Sequence, residues 1–238
     1  MERRNLSLTP RNEDTREQRS VALPQHFSLE EIKQHFEEGM CFVRGQFTVA
    51  NSLSESENIE GCKLVWRSQV AFSEGLLDFF IHELSKYCLF KMFTGSWQKS
   101  EKYNNLQVKM SHVERGLEAV ESHEWFFSYL NEYFSCDVFL SGESVKDQLN
   151  LIGIPFSKAM HIAFHERTEN ESHKVGKRTL DELYKRRNQI VHQADRVHTT
   201  AQQVDITHEY VEDFLGKIEN IVNAIYQVAI EKDSPTQT

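Results

Sequence analysis

Glycine and proline are scarce in this chain. Ten glycines and four prolines in 238 residues are too few for the many tight turns that a β-sandwich or barrel of this length needs. Their scarcity favours long helices. Cysteine is sparse too: Cys41, Cys62, Cys88 and Cys136 stand far apart and form no C-x-x-C unit. That spacing speaks against a disulfide framework and for a reducing compartment. No run of about 18 apolar residues is present, so no membrane span is expected. The first twenty residues, MERRNLSLTPRNEDTREQRS, are charged and lack the apolar centre of a secretory signal. The expected location is the cytoplasm. Positive charge is not in excess either. The formal net charge is −9, which counts against a broad non-specific nucleic-acid footprint and requires any RNA contact to be local. No Gly-rich phosphate loop, serine nucleophile elbow or HExxH is found, which argues against an NTPase, a serine hydrolase and a zinc protease.

What the chain does have is helical periodicity. Residues 1–25 are polar and read as a mobile tail. Ser28-Leu-Glu-Glu31 is a capping box, predicting a short helix over about 29–38 that stops at Gly39. Residues 40–50 partly alternate and are rich in β-branched and aromatic side chains, the pattern of a small β-hairpin around Arg44-Gly45. Residues 51–58 read as a loop. From Ile59 to Phe93 no proline intervenes, and Val70, Leu77, Ile81, Leu84 and Cys88 recur at steps of three, four and seven. Helices are also predicted near 106–120, 123–135 and, in two pieces broken at Gly153-Ile-Pro155, over 144–165. Residues 166–178 read as a polar loop, followed by a second capping box at Thr179–Glu182. The last helix, about 206–231, repeats Val211, Leu215, Ile218, Val222, Ile225 and Ala229 at helical steps. The expectation is an all-α helical bundle. Its organisation is a tail and small extension (1–58) that can hold the hairpin, a helical domain (59–231) and a polar tail (232–238).

Function is expected in the helix ending Leu183-Tyr-Lys-Arg-Arg-Asn-Gln-Ile-Val-His-Gln193. Ile190 and Val191 are expected to face the core. Asn188 and His192 are four apart and share a face. Arg187 lies about 140° from His192 around an ideal helix, within reach of its long side chain. These residue types suit RNA cleavage without a metal. Histidine can take the proton of the ribose 2′-OH or give one to the leaving 5′-oxygen. Arginine offers a fork of donors to a phosphate gaining charge in the transition state. The 2′-OH requirement makes such chemistry RNA-specific, and its products are a 2′,3′-cyclic phosphate and a 5′-OH. Lys185 and Arg186 are candidates for RNA backbone contact. They belong to a stretch with Lys174, Lys177 and Arg178 that is the one notable basic concentration in an acidic chain.

Arg-x4-His alone is a weak signal. In its context, a helix end followed by a turn and a long amphipathic C-terminal helix, Arg187-Asn188-x-x-x-His192 resembles the HEPN superfamily. Arg186-Arg187-Asn188-x-Ile190-Val191-His192 looks particularly like the RiboL-PSP group. The resemblance covers about residues 60–230. It implies a helical bundle that forms a homodimer, with two motifs meeting in one composite cleft. It also implies a metal-independent ribonuclease of toxin–antitoxin or phage-defence systems, needing no cofactor, with RNA as substrate and an antitoxin as a further partner. Two other readings stay open: a non-catalytic HEPN module binding RNA or a protein, and a structural helical protein in which Arg187 and His192 only complement the helix dipole.

Other features have blander readings beside the functional one. Glu74 and Asp78, four apart, could orient Arg187 or His192, or form a solvated helix face. His161-x3-His165 has ligand spacing but no third partner. The aromatic run from Trp125 to Phe134 could stack bases, but at helical spacing it reads as core.

Overall fold

The computed structural model describes residues 25–118, 122–166 and 168–233. These residues form eight α-helices and no strand. The elements are α1 (Leu29–Glu55), α2 (Ile59–Phe93), α3 (Met110–Glu118), α4 (Glu124–Tyr133), α5 (Gly142–Leu151), α6 (Phe156–Phe164), α7 (Glu169–Gln193) and α8 (His208–Asp233). A single 3-10 turn at Tyr103–Asn105 bridges α2 and α3. Among the described residues no helix is long and apolar enough to cross a membrane.

The Ser28 box starts α1 as its residues predict. The Glu31 N–H donates to Ser28 Oγ at 3.2 Å, and the Ser28 N–H donates to Glu31 Oε2 at 2.7 Å. The helix does not stop at Gly39. It runs through 40–50, where a hairpin was expected, and through most of the expected 51–58 loop. The reason lies in the buried set Leu29, Ile32, Phe36, Met40, Val43, Phe47 and Ala50, whose steps of three and four outweigh the local β propensity. At Gly39 α1 lies tightly against α2: a Cβ there would stand 2.4 Å from Leu76 Cδ2. The apolar face of α1 belongs to the same hydrophobic cluster as α2 and α8. On its flank Arg44 forks onto Glu219 (2.9 and 2.7 Å) and reaches Glu212 at 2.7 Å.

Central to the bundle is α2, packed by α1, α4, α5, α7 and α8. Val70, Leu77, Phe80, Ile81, Leu84, Cys88, Leu89 and Met92 are all fully buried. The aromatic run is largely core: Phe126, Phe127, Tyr129 and Phe134 are buried, and Phe126 stacks on Phe93 with ring centroids 4.1 Å apart.

From Glu169 onward the expected loop over 166–178 is helix. α7 begins at Thr168, whose hydroxyl accepts the Glu171 N–H at 3.2 Å, and Thr179 lies buried in its interior. Few large apolar residues mark this first half, because α6 approaches closely over small ones: a Cβ on Gly176 would come 2.3 Å from Met160 Sδ. At the other end of the chain α8 extends to Asp233. Lys232 and Asp233, expected in the polar tail, pack instead against Trp97. The Trp97 Nε1–H donates to Asp233 Oδ1 at 2.9 Å, and Lys232 Nζ sits 4.7 Å above the indole. The expected tail before residue 25 and the last five residues lie outside the described ones.

Candidate functional site

The last two turns of α7 carry the site. Arg187 Nη1 donates to Asn188 Oδ1 at 3.0 Å and stands 3.5 Å from His192 Nε2. The guanidinium thus swings across the roughly 140° that separate the two positions on an ideal helix. A guanidinium carries donors only, so it can address an imidazole nitrogen only through that nitrogen's lone pair. His192 is exposed, while Arg187 and Asn188 are half-buried. Val191, expected in the core, is 46% exposed; Ile190 packs against the core.

Beneath Arg187 lies Glu74 of α2. It is fully buried, and neither of its carboxyl oxygens has a hydrogen-bond partner; the Nε of Arg187 is likewise buried and unpartnered. Burial pushes the Glu74 carboxyl up to about 8, against the pull of the Arg187 charge and with a push from Asp78. The solvated-face reading therefore fails for Glu74. Asp78 takes a different part: its Oδ1 accepts the Phe139 N–H at 2.7 Å and lies 3.7 Å from His82 Nε2.

Arg186 turns away from the cluster. It forms a two-pronged ion pair with Asp195, with Nη2 to Oδ2 at 2.9 Å, and its guanidinium carbon lies 5.6 Å from the Tyr210 ring centroid. Asp195, with no solvent exposure, also accepts Arg67 Nε at 2.7 Å, and Arg67 Nη2 donates to Val204 O at 2.9 Å. Ala194 and Asp195 adopt left-handed backbone with φ of 50° and 58°, a conformation that terminates α7 and folds the aspartate under it. Arg186, expected as an RNA contact, is thus a buried anchor that ties the end of α7 to α2 and the loop before α8. Lys185 is exposed and lies at one end of a shallow groove along α7 with Lys177 and Arg178. Lys177 is paired with Glu143 at 2.6 Å.

Arg67, Asp195 and Tyr210 were missed as neighbours of the site. No local pattern marks them, since Arg67 and Asp195 are 128 residues apart in sequence. His161 and His165 do not converge on a common point for an ion. The first pairs through Nδ1 with Ser172 Oγ at 3.1 Å, and the second ends α6 in left-handed backbone. Among the described residues no three His, Cys, Asp or Glu side chains come together as a metal site requires.

The cluster can donate hydrogen bonds to an anion through Arg187, exchange a proton through His192, and hold both with Asn188. Compared with protein-family models, with curated proteins and with solved structures, the chain matches none.

Proposed function

We propose that the end of α7 is the site of a metal-independent endoribonuclease. His192 is the general acid/base, Arg187 the phosphate clamp and Asn188 the positioning group. The observation that carries this reading is the contact of guanidinium, amide and exposed imidazole within 3.5 Å on one helix end. With Arg187 turned to the phosphate, His192 takes the 2′-OH proton as the general base. The resulting 2′-oxygen attacks the adjacent phosphorus, the P–O5′ bond breaks, and the proton taken up by His192 passes to the leaving 5′-oxygen. Acid–base help of this kind contributes on the order of 10²–10⁴ in rate. Arg187 meets the charge gathering on the non-bridging oxygens, where two parallel donors hold best. The phosphate approaches the negative end of the α7 dipole, about half a charge, so the cation of Arg187 is needed there.

The resemblance of Arg186–His192 to the RiboL-PSP group of HEPN domains supports the same reading. It supplies the expectation of a homodimer with a composite cleft and of a toxin–antitoxin or phage-defence setting. The all-helical architecture is compatible with it.

A second reading has an observation of its own. The net charge is −9, and Arg186 is committed to Asp195, which leaves a small basic surface. A non-catalytic HEPN module that binds RNA or a protein through this helix end fits that charge distribution.

The deciding experiment is cleavage of mixed-sequence RNA by purified protein in excess EDTA, with wild type beside His192→Ala and Arg187→Ala. Cleavage by wild type alone, leaving 2′,3′-cyclic ends, supports the nuclease. No cleavage by a folded wild type, with RNA still retained in a binding assay, supports the module.

A further inference from the structure

Glu74 lies under the site, and the cleavage steps make no use of it. It is fully buried, and neither of its carboxyl oxygens is hydrogen-bonded among the described residues. Buried polar groups are nearly always paired, so an exception calls for a reason. Packing supplies none: a leucine would fill such a place without the cost of an unmet carboxyl. The second exception is its neighbour, for the Nε of Arg187 is buried and unpartnered as well. Of the elements packed on α2, α7 alone brings a charge to Glu74, through Arg187; the other charge acting on it is Asp78, on its own helix. Asp78 is engaged elsewhere, its Oδ1 accepting the Phe139 N–H at 2.7 Å. An unmet acceptor and an unmet donor thus stand together at the base of the cluster.

The outer end of the same guanidinium has two tasks that conflict. Nη1 leans on Asn188 Oδ1 and His192 Nε2. Cleavage needs it on the phosphate, with the lone pair of His192 released. Such a turn requires a fixed point. A guanidinium offers one, because its Nε–H and its Nη fork lie on different edges of one rigid plane. A carboxylate on the Nε edge holds that plane and leaves the fork to the phosphate.

We propose that Glu74 is a positioning residue of this site: when the RNA phosphate is bound, the Glu74 carboxylate accepts the Arg187 Nε–H and holds the guanidinium with its fork towards the phosphate and off His192. The inference rests on the nuclease reading. Burial pushes the Glu74 carboxyl up to about 8, so at neutral pH it carries its proton. The O–H bond breaks as RNA binds, the proton passes to solvent, and no other bond changes. RNA binding therefore releases about one proton below about pH 8, and affinity rises with pH over that range. A histidine acts in the opposite sense, because losing its proton removes positive charge from an anion site.

The test uses the full chain and mixed-sequence RNA carrying 2′-O-methyl groups. That RNA lacks the attacking hydroxyl, so binding is read without cleavage. Wild-type affinity is expected to rise from pH 6 to 8, by up to about tenfold per pH unit for one proton released. Glu74→Gln keeps an acceptor for the Nε–H and has no proton to lose, so its affinity should show no such rise. Glu74→Leu removes the acceptor. Its single-turnover rate on cleavable RNA at pH 8 should fall about 100-fold, the loss that a misplaced group causes, with Glu74→Gln within about tenfold of wild type. A residue that only fills the core would not give this order, since leucine suits a buried place at least as well as glutamine. Melting curves check that both variants are folded. A wild-type affinity that does not rise with pH, a rise that survives in Glu74→Gln, or a Glu74→Leu as active as Glu74→Gln overturns the proposal and leaves the RNA site standing. A wild type that neither binds nor cleaves RNA removes the nuclease reading, and this inference with it.

Discussion

Arg187 Nη1 stands 3.5 Å from His192 Nε2 although the two residues point to different sides of α7. The contact depends on the reach of the arginine and on the fork of its guanidinium. Arg187→Lys keeps the charge but not the fork. We expect it to lower RNA cleavage about 100-fold or more, close to the loss from Arg187→Ala, in line with removal of a transition-state donor. Single-turnover cleavage of a defined RNA measures it. Near-wild-type activity of Arg187→Lys would reduce the arginine to a simple counter-charge.

Asp195 is held by two guanidiniums in a buried setting. Asp195→Ala leaves Arg67 and Arg186 without their carboxylate, and breaking a buried pair in this way costs about 3–5 kcal/mol. The expected result is a marked drop in the urea midpoint. Activity should fall with it even under conditions where the variant is folded, because the end of α7 loses its tether. An unchanged midpoint would show that solvent reaches these arginines.

Glu74 makes stability depend on pH. Its carboxyl is pushed up to about 8 in the folded chain, while an unfolded glutamate titrates near 4.3. Between those values the folded state binds more protons, so stability falls as pH rises. The contribution is complete below about pH 4 and lost as pH passes about 8. Glu74→Gln, of equal size and without charge, should flatten this slope and raise the melting temperature at pH 8 relative to wild type. Thermal melts across pH 5 to 9 decide it; parallel curves for the two proteins would contradict the buried carboxyl.

Phe36 of α1 is buried and meets Phe80 of α2 edge to face, ring centroids 5.9 Å apart. Phe36→Ala should destabilise the whole protein by about 3–5 kcal/mol. A chain beginning at residue 59 should fail to fold cooperatively, since the α1-facing side of α2 would be bared. A cooperative, wild-type-like melt of that truncated chain would show α1 to be an appendage.

Legibility in the sequence followed how far each element relies on regular apolar spacing. α8 and α2 repeat large apolar residues at three and four, and both emerge near their observed ends. α1 hid its spacing because exposed Phe42 and Val49 fill the gaps between buried Met40, Val43, Phe47 and Ala50, giving the look of alternation. Reading on from Leu29, Ile32 and Phe36 at the same steps would have revealed one helix. The first half of α7 buries Ser172, Gly176 and Thr179, small side chains that carry little hydropathy signal. At the site, the sharing of a face by Asn188 and His192 was legible from local spacing. The burial of Glu74 was not, since a glutamate beside Leu77 and Val70 is equally consistent with the edge of a solvated face. Nor could the role of Arg186 be read, because its partner lies beyond a left-handed turn and closes on Arg67 from a distant helix.

Arg186 and Arg187 are neighbours in the chain with opposite fates, one drawn under the helix end by Asp195 and the other, half-buried over Glu74, turned to His192. Each step along a helix turns by about 100°. A one-residue deletion between Asp195 and the arginines would therefore offer the aspartate a different side chain and rotate the cluster off its surface in the same stroke. Fold and site here share a single phase: the length of the segment from Arg186 to Asp195 can drift no more freely than the identity of the residues at its ends.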